Sequence, residues 1–449
     1  MEKNRSANLL VLKAAWVLPM DQAAIKDGGV LIAGNCIEQI VPECDLSKSL
    51  AGREHQVYDY GQAIILPGLI NLHTHLEHTN LRHLAKETAF LEWLPGLMKE
   101  AAKWSFDDRA ESAKAGIAEI MTSGTTCVVD WSYSGASVKA LAASGLRAII
   151  GLEIFGVNEA AANETWQQWL ARYEKLLEDD SIAQATKQGR ISITAAPHAP
   201  YTVCPALWRK SKEWAETNNR TLLTHVAESE AEYNWFHNND ESMKQFLIAA
   251  FSQRDPDFSN FYEKQIVWKA ENLSPVQHLD KHGLLADNLL AAHAVQIDDL
   301  DINLLRSANV AIAHCPRSNK MLKCGKAPLE KLLDKGLAVG LGTDGAASSG
   351  DLNLLTEARY VAHGQQKSQQ AKKLSAKQIL ELLTIKAAAC LGLENKLGSL
   401  TPGKWADIAV FSAVKGKSIN NSDTVINHYE MLLSGQLAAK ALFVNGVKV

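Results

Sequence analysis

The middle of the chain consists of short apolar runs that alternate with helical patterns or loops. Residues 110–122 and 376–391 show the helical pattern, because their apolar positions recur three and four residues apart. Strands that alternate with helices form parallel βα units, and eight such units close into a barrel. The pattern therefore predicts the α/β class and a (β/α)8 TIM barrel. The eight apolar runs span residues 64–75, 125–131, 146–155, 191–198, 221–228, 289–295, 310–315 and 337–344.

Both ends of the chain carry β-branched residues and turn signals in place of the helical pattern. We expect residues 1–66 and 400–449 to pair with each other as one small composite β-sandwich. Residues 67–399 would then form the barrel. The terminal strands are predicted at 11–18, 29–41, 406–411 and 438–449, with turns at Gly34-Asn35 and Asn445-Gly446.

The segment 230–280, between the fifth and sixth predicted strands, is longer than a barrel loop should be. It carries many aromatic residues among polar ones. Loops of this length in compact folds are often functional or contain helices of their own. We interpret the segment as an active-site lid, or alternatively as a structural excursion or a dimer contact.

Composition and charge narrow the class of protein. Of the 449 residues, 47% are hydrophobic and 21% are charged, which is the balance of a globular protein with a large core. The net charge of -4 gives no electrostatic reason to bind nucleic acid or an anionic membrane. No targeting segment or membrane-spanning run of about 18 apolar residues is present, and the cysteines show no CxxC spacing. We therefore expect a cytoplasmic protein that acts on a small molecule.

Polar residues that bind metals or protons lie at the carboxyl ends of the predicted strands, where a barrel builds its active site. His73 and His75 close the first strand, and two residues that are two apart in an extended chain point the same way. Four further residues of these types end other predicted strands. Each is weak evidence for an active site when taken alone, and their placement at the same end of the barrel is stronger evidence. These are His225 and Glu228 after the fifth strand, His293 after the sixth and Asp344 after the eighth.

Three imidazoles and one carboxylate around a divalent ion leave a coordination position for water, as a catalytic site requires. The ion lowers the pKa of that water and makes hydroxide available. Hydrolysis is therefore the expected chemistry.

At these residues the chain resembles the amidohydrolase superfamily, in the branch of cytosine, guanine and S-adenosylhomocysteine deaminases and the triazine hydrolases. The likeness extends over nearly the whole chain in the family's order, and it is strongest to adenosine-type, aminodeoxyfutalosine-like deaminases. The motifs are Pro67-Gly-Leu-Ile-Asn-Leu-His-Thr-His75, His225-Val-Ala-Glu228, Ala292-His293-Ala294, His314-Cys-Pro-Arg-Ser-Asn319, Gly340-Leu-Gly-Thr-Asp-Gly345 and Gly398-Ser-Leu-Thr-Pro-Gly-Lys-Trp-Ala-Asp407.

The resemblance implies one divalent metal ion, Zn²⁺ or Fe²⁺, because no lysine ends the fourth strand to bridge a second ion. Glu228 would carry a proton to the ring nitrogen, and His293 would orient the attacking water. Asp344 would take the proton of that water and pass it to the departing ammonia. The implied metal ligands are His73, His75, His225 and Asp344.

The resemblance also suggests an adenine nucleoside derivative as the substrate, with His198 and Trp93 in contact with it. Arg82 and Arg317 are further candidates, because a guanidinium presents a planar fork of donors. One departure is Ala102, which stands where related deaminases have a glutamate that binds the ribose. Alternatives are a guanine- or pterin-type deaminase, a triazine-type hydrolase, or a scaffold without activity. A homo-oligomer, specifically a dimer, is expected.

Overall fold

The computed structural model describes residues 9–252, 258–266, 268–366, 373–414 and 425–449. Its strands are β1 (Leu9–Val17), β2 (Ile25–Ala33), β3 (Cys36–Pro42), β4 (His55–Asp59), β5 (Ala63–Pro67), β6 (Leu69–Thr74), β7 (Thr125–Ser132), β8 (Arg147–Ile154), β9 (Ile191–Pro197), β10 (Leu222–Val226), β11 (Leu289–His293), β12 (Ala311–His314), β13 (Val339–Leu341), β14 (Ile408–Ala413), β15 (Leu437–Val444) and β16 (Val447–Lys448).

The helices connect these strands, together with short 3-10 helices at Leu76–Leu84 and Glu159–Ala161. They are α1 (Glu43–Leu50), α2 (Phe90–Ala101), α3 (Phe106–Thr122), α4 (Ala136–Ser144), α5 (Ala162–Leu177), α6 (Asp180–Lys187), α7 (Pro205–Thr217), α8 (Glu230–Asn238), α9 (Glu241–Ser252), α10 (Phe258–Gln265), α11 (Pro275–Lys281), α12 (Asp299–Ser307), α13 (Pro316–Met321), α14 (Leu329–Asp334), α15 (Ala346–Ser349), α16 (Leu354–Gln366), α17 (Ala376–Glu381), α18 (Ile385–Cys390) and α19 (Val425–Leu433).

Each of the eight predicted runs contains a strand, and these strands form two parallel sheets in the orders β6-β7-β8-β9 and β10-β11-β12-β13. The first run divides at Gly68, so that β5 joins the terminal sheet and β6 begins a central one. Gly68 permits this close crossing, since a Cβ there would lie 1.9 Å from Thr126 Oγ1. The two central sheets are also joined by backbone hydrogen bonds near the carboxyl ends of their strands. His225 N donates to the carbonyl of His198 at 2.9 Å, and Asp344 N donates to that of His73 at 2.9 Å.

Alternate residues of the central strands pack into two different cores, as the period of two requires. One face packs against the helices. The opposite face contributes an inner cluster with members from both sheets, so the strand ends converge around one region. The inner cluster includes Ile70, Leu72, Val129, Ile149, Leu223 and Leu290.

The two ends of the chain pair directly in one mixed sheet of eight strands, ordered β16-β15-β14-β5-β1-β2-β3, with β4 paired to β1. The antiparallel pairing of β5 with β14 joins the N-terminal and C-terminal segments. The predicted hairpin turns are confirmed, since Gly34-Asn35 connects β2 to β3 and Asn445-Gly446 connects β15 to β16. Two-layered sandwich packing stays a prediction.

The helical prediction for 110–122 is confirmed by α3, but the prediction of one helix over 376–391 is wrong. That segment forms α17 and α18 with a break at Thr384, whose φ of -131° and ψ of -100° are not helical. Backbone hydrogen bonds explain the interruption. The carbonyl of Leu382 accepts from Leu341 N at 3.1 Å, and that of Leu383 accepts from Ile70 N at 2.8 Å.

The segment 230–280 holds helices α8 to α10 and most of α11. Trp235, Phe236, Tyr262 and Trp268 are all buried, and Trp235 Nε1 donates to Tyr262 Oη at 2.7 Å. The aromatic residues therefore build a core beneath these helices, which agrees with the interpretation as a structural excursion. The lid remains a prediction, and residues 253–257 and 267 lie outside the described residues.

Across the described part of the chain, no helix is both long and apolar enough to cross a membrane. All seven cysteines are free thiols, and five of them are buried.

A buried ion pair fastens the terminal sheet to the central strands. Arg147 at the start of β8 donates through Nε to Asp407 Oδ2 at 2.8 Å, and their side chains are 4% and 2% exposed. The guanidinium also lies 3.8 Å from the centre of the Trp405 ring. Both Asp407 and Trp405 belong to the C-terminal segment, so this contact holds the terminal sheet against the central strand β8.

We predict that Asp407→Ala lowers the free energy of unfolding by about 3–5 kcal/mol, because it leaves the Arg147 charge buried without its partner. Urea denaturation measures the change. Glu38→Ala is the matched control, since it breaks the exposed Arg53–Glu38 pair of 2.6 Å and should change stability by about 0–1 kcal/mol. If both variants lower the free energy of unfolding by the same small amount, the Arg147–Asp407 pair does not hold the terminal sheet in place.

Candidate functional site

The predicted ligand residues converge at the carboxyl ends of the central strands. His73 lies in β6 and is fully buried, and neither of its ring nitrogens has a hydrogen-bond partner within the described residues. His75 follows directly, and its Nε2 lies 3.2 Å from His225 Nε2. The ring of Trp131, in β7, packs edge-on against His73 with the centroids 4.1 Å apart. Two buried ring nitrogens without hydrogen-bond partners, next to the nitrogens of two further imidazoles, indicate a site for a metal ion.

Asp344 completes this group from the end of β13. Its Oδ1 lies 3.3 Å from His73 Nε2 and 3.6 Å from His75 Nε2. Its Oδ2 accepts hydrogen bonds from Ser318 Oγ at 2.5 Å and from Ser348 Oγ at 2.7 Å. The carboxylate is therefore held in one orientation while one oxygen still faces the imidazoles.

The orientation of His225 is fixed by the strand beside it. Its Nδ1–H donates to the carbonyl of His198 at 2.8 Å, which leaves Nε2 as the unprotonated nitrogen of the neutral ring. The ligand atoms of His73, His75 and His225 all lie within 4.8 Å of one another. One divalent ion can therefore be reached by all three rings.

Burial sets the protonation of this group. It lowers the pKa of His73 to about 3 and that of His225 well below its ordinary value. Burial acts to raise the pKa of Asp344, but the close contact with His73 and the other imidazoles outweighs it and holds that pKa well below its usual range. Neutral imidazoles with an ionised carboxylate are the state that binds a divalent metal, so the residues present fit one.

A second pair lies beside the ligands. Glu228 follows β10, and its Oε1 is 3.6 Å from Nε2 of His293 at the end of β11. Burial raises the pKa of the Glu228 carboxyl well above its usual value. His293 Nδ1–H donates to Asn319 Oδ1 at 2.9 Å, so its Nε2 points toward Glu228 as an acceptor. A carboxyl whose pKa is raised and an imidazole with Nε2 turned toward it thus adjoin the metal group.

The backbone is strained where these residues meet. His293 has a φ of 77° and Asp344 a φ of 60°, in the left-handed region that side chains other than glycine rarely adopt. Such strain costs about 1–3 kcal/mol per residue and persists where the surroundings impose it, often at functional sites.

Two of the predicted substrate residues border this group. The His198 ring stacks on Phe155 with centroids 4.6 Å apart, and its Nδ1 lies 2.8 Å from Thr202 Oγ1. Trp93 donates through Nε1 at 3.0 Å to the carbonyl of Ala347, which lies in α15, three residues after Asp344. Both side chains are therefore positioned by residues of the site or its loops.

The two predicted arginines have protein partners. Arg82 pairs with Glu119 at 2.5 Å. Arg317 binds Asp351 at 2.8 Å and Glu357 at 3.3 Å, and also donates to the carbonyl of Ser349. Each guanidinium thus has a carboxylate partner within the protein, although Arg82 uses one nitrogen for its pair and its side chain is 44% exposed.

Sequence reasoning missed a set of buried acids next to the ligands. Burial raises the pKa of Asp130 in β7 to about 7 and that of Glu153 in β8 to about 8. Glu77 accepts from Ser132 Oγ at 2.5 Å and from Ser134 Oγ at 2.9 Å. A signal was present, because Asp130 and Glu153 lie near the ends of the second and third apolar runs, as Asp344 does in the eighth.

Comparison with known proteins agrees with this geometry. The sequence matches the Amidohydrolase family over residues 64–245 and 256–446. A 5'-deoxyadenosine deaminase from Methanobrevibacter smithii is 30% identical over 421 residues, which cover 92% of this chain and 86% of that protein. A 5-methylthioadenosine/S-adenosylhomocysteine deaminase from Syntrophomonas wolfei is 30% identical over 413 residues, which cover 91% of this chain and 85% of that one.

Among solved structures, a zinc-bound adenosine deaminase from Xanthomonas campestris superposes with a TM-score of 0.74 at 25% identity, and the match covers 98% of this chain and 92% of that one. The family match extends over most of the residues that build the central strands and the site. This chain belongs to the amidohydrolase family.

Proposed function

We propose that this protein is a metal-dependent hydrolase that removes the amino group of an adenine nucleoside derivative and releases ammonia. The single observation that carries the proposal is the Glu228–His293 pair beside a four-residue ligand set. A set of metal ligands alone can support many kinds of hydrolysis. Deamination of a heteroaromatic ring also needs an acid that protonates the ring nitrogen.

We assign one divalent ion, Zn²⁺ or Fe²⁺, to His73, His75, His225 and Asp344. The partnerless nitrogens of His73 and the unprotonated Nε2 of His225 support this assignment. When bound, the ion lowers the pKa of a water molecule and so supplies hydroxide at neutral pH. The zinc in the Xanthomonas campestris relative favours Zn²⁺.

The chain's own residues then divide the proton transfers. Burial raises the pKa of Glu228 and so favours its protonated form, and this carboxyl donates its proton to the ring nitrogen next to the amino group. His293 Nε2 accepts a hydrogen bond from the attacking water, since Asn319 holds the proton of this ring on Nδ1. Asp344 is ionised; its Oδ1 receives the proton that leaves the water and passes it to the amino group, which departs as ammonia.

The substrate class follows from the relatives and from the walls of the site. Both sequence relatives described above are named for deamination of adenosine derivatives. We place the purine against His198, with Trp93 of α2 closing the site where it contacts Ala347. We assign Arg82 and Arg317 to structural ion pairs, because carboxylates already occupy their guanidinium groups.

The proposal includes the organisation of the whole molecule. The two central sheets close into one barrel over residues 67–399, and the terminal segments 1–66 and 400–449 pack as a small β-sandwich. The free thiols favour a cytoplasmic location, where thiols stay reduced. The active form is a dimer.

We predict that Glu228→Gln keeps its metal but loses turnover by about 10²–10⁴-fold, because an amide has no acidic proton to give. Elemental analysis and ammonia release measure the two quantities. Glu230→Gln is the control two residues away, on the exposed start of α8, and should keep full turnover. Unimpaired turnover of Glu228→Gln would remove this residue from the mechanism.

We predict that His225→Ala loses most of its bound metal, since one of four ligands is gone. Inductively coupled plasma mass spectrometry of the purified protein measures the content. The control His237→Ala changes an exposed histidine of α8 and should leave the content unchanged. Full occupancy in His225→Ala would show that this ring is not a ligand.

The substrate class is tested by a screen of the metal-loaded protein. We expect ammonia release from adenosine and its 5'-modified derivatives, including 5'-deoxyadenosine and methylthioadenosine, at rates at least ten times those for guanine or a chlorotriazine. A preference for guanine, or chloride release from the triazine, would contradict the assigned class.

A further inference from the structure

One buried acid next to the site has no role in the proton transfers described above. Glu153 is 6% exposed, and no side chain among the described residues hydrogen-bonds its carboxyl, although the charge of Arg172 acts on it. Its main-chain carbonyl is occupied, since it accepts from Arg172 at 2.7 Å. A buried carboxyl that lacks a partner is expensive, and native proteins normally supply one. A ligand hydroxyl, which can both donate and accept a hydrogen bond, would satisfy Glu153 in either protonation state.

The strand pattern directs this side chain toward the site. In β8, Ile150, Leu152 and Ile154 pack toward the helices, whereas Ile149 belongs to the inner cluster. Glu153 lies four residues after Ile149 and therefore shares its face. A ligand atom of Glu153 comes within 4.8 Å of ligand atoms of both His198 and His225.

Aromatic rings form a wall on the same side of the site. Phe155, two residues after Glu153, stacks on His198, and Tyr133 lies with its centroid 5.9 Å from that of Phe155. Phe155 and Tyr133 are partly exposed, so the wall is open to a ligand. The carboxyl of Glu153 thus lies beside a surface of stacked rings, which suits a molecule with an apolar part and a polar donor.

The order of the strands identifies which part of a nucleoside reaches Glu153. Glu228 and His293 belong to the β10 and β11 side of His225, whereas Glu153 belongs to β8 on the opposite side. The amino group that leaves must face Glu228 and Asp344. In an adenine nucleoside, the donors that remain for the opposite side are the hydroxyl groups of the sugar.

We propose that Glu153 binds a ribose hydroxyl of the substrate and thereby makes the enzyme selective for ribonucleosides over their deoxy analogues. This inference rests on the proposed deaminase function. A site built to bond a hydroxyl discriminates strongly against a substrate without one, because its own polar group is then left unpaired. Glu153 is a substrate-binding residue that takes no part in proton transfer.

The test compares kcat/KM for adenosine, 2'-deoxyadenosine and 3'-deoxyadenosine in four proteins: wild type, Glu153→Leu, Glu153→Gln and Glu271→Gln. The wild type should prefer adenosine to at least one deoxy analogue by about 10- to 100-fold, the worth of one hydrogen bond to a buried or charged group. Glu153→Leu should lose most of that ratio, and Glu153→Gln should keep much of it because an amide oxygen still accepts.

Glu271→Gln is the matched control. Its carboxylate is partly buried and pairs with His278 and Lys281, away from the site, so this variant should keep the wild-type ratio. All variants should retain wild-type metal content.

The possible failures are distinguishable. A wild type that converts both deoxy analogues as fast as adenosine overturns the inference without any variant, so folding of Glu153→Leu is not required for the test. An unchanged ratio in a folded, metal-loaded Glu153→Leu also overturns it. If the metal-loaded wild type deaminates no nucleoside, the proposed function itself is wrong, and the ribose contact falls with it.

Discussion

The site depends on keeping the Asp344 carboxylate ionised inside the protein. Burial opposes this charge, and the surrounding groups counter it: two serine hydroxyls bond one oxygen, and His73 lies 3.3 Å from the other. Each of these groups comes from a different segment, so the convergence of the strands is a precondition for the charge. The positive φ of Asp344 shows that the backbone is bent to place the carboxylate there.

Two carboxyl groups in one small region have opposite pKa shifts. Burial, with the charge of Asp344 adding to it, raises the pKa of Glu228, whereas His73 holds that of Asp344 low. Groups whose environments push their pKa values apart are suited to act as acid and base in one reaction. The ion pair between Arg147 and Asp407 lies outside this region, and it keeps the terminal sheet fixed to the strand that carries Glu153.

The sequence predicts much of this arrangement because strand ends carry a strong local signal. The eight apolar runs identify the central strands, and polar residues at their ends identify His73, His225 and Asp344. The interruption at Thr384 was not predictable in this way. It arises from hydrogen bonds to β6 and β13, strands that are far away in the sequence.

The sequence pattern also could not predict which side chains pair with each other in the fold. The guanidinium of Arg317 has the chemistry of a substrate anchor, and only the fold brings Asp351 and Glu357 against it. Glu153 shows the converse case. Its place near the end of the run 146–155 is a weak signal, and a binding role is indicated only once the fold places His198 and Phe155 beside it.

The central claim is that one metal ion, bound by this group of side chains, supports deamination. The most direct measurement is a titration of metal-free protein with Zn²⁺ or Fe²⁺, in which ammonia release from 5'-deoxyadenosine is followed against bound metal. The account predicts activity that rises linearly and stops increasing at one equivalent per chain. Activity that needs a second equivalent, or that is already complete without added metal, would contradict it.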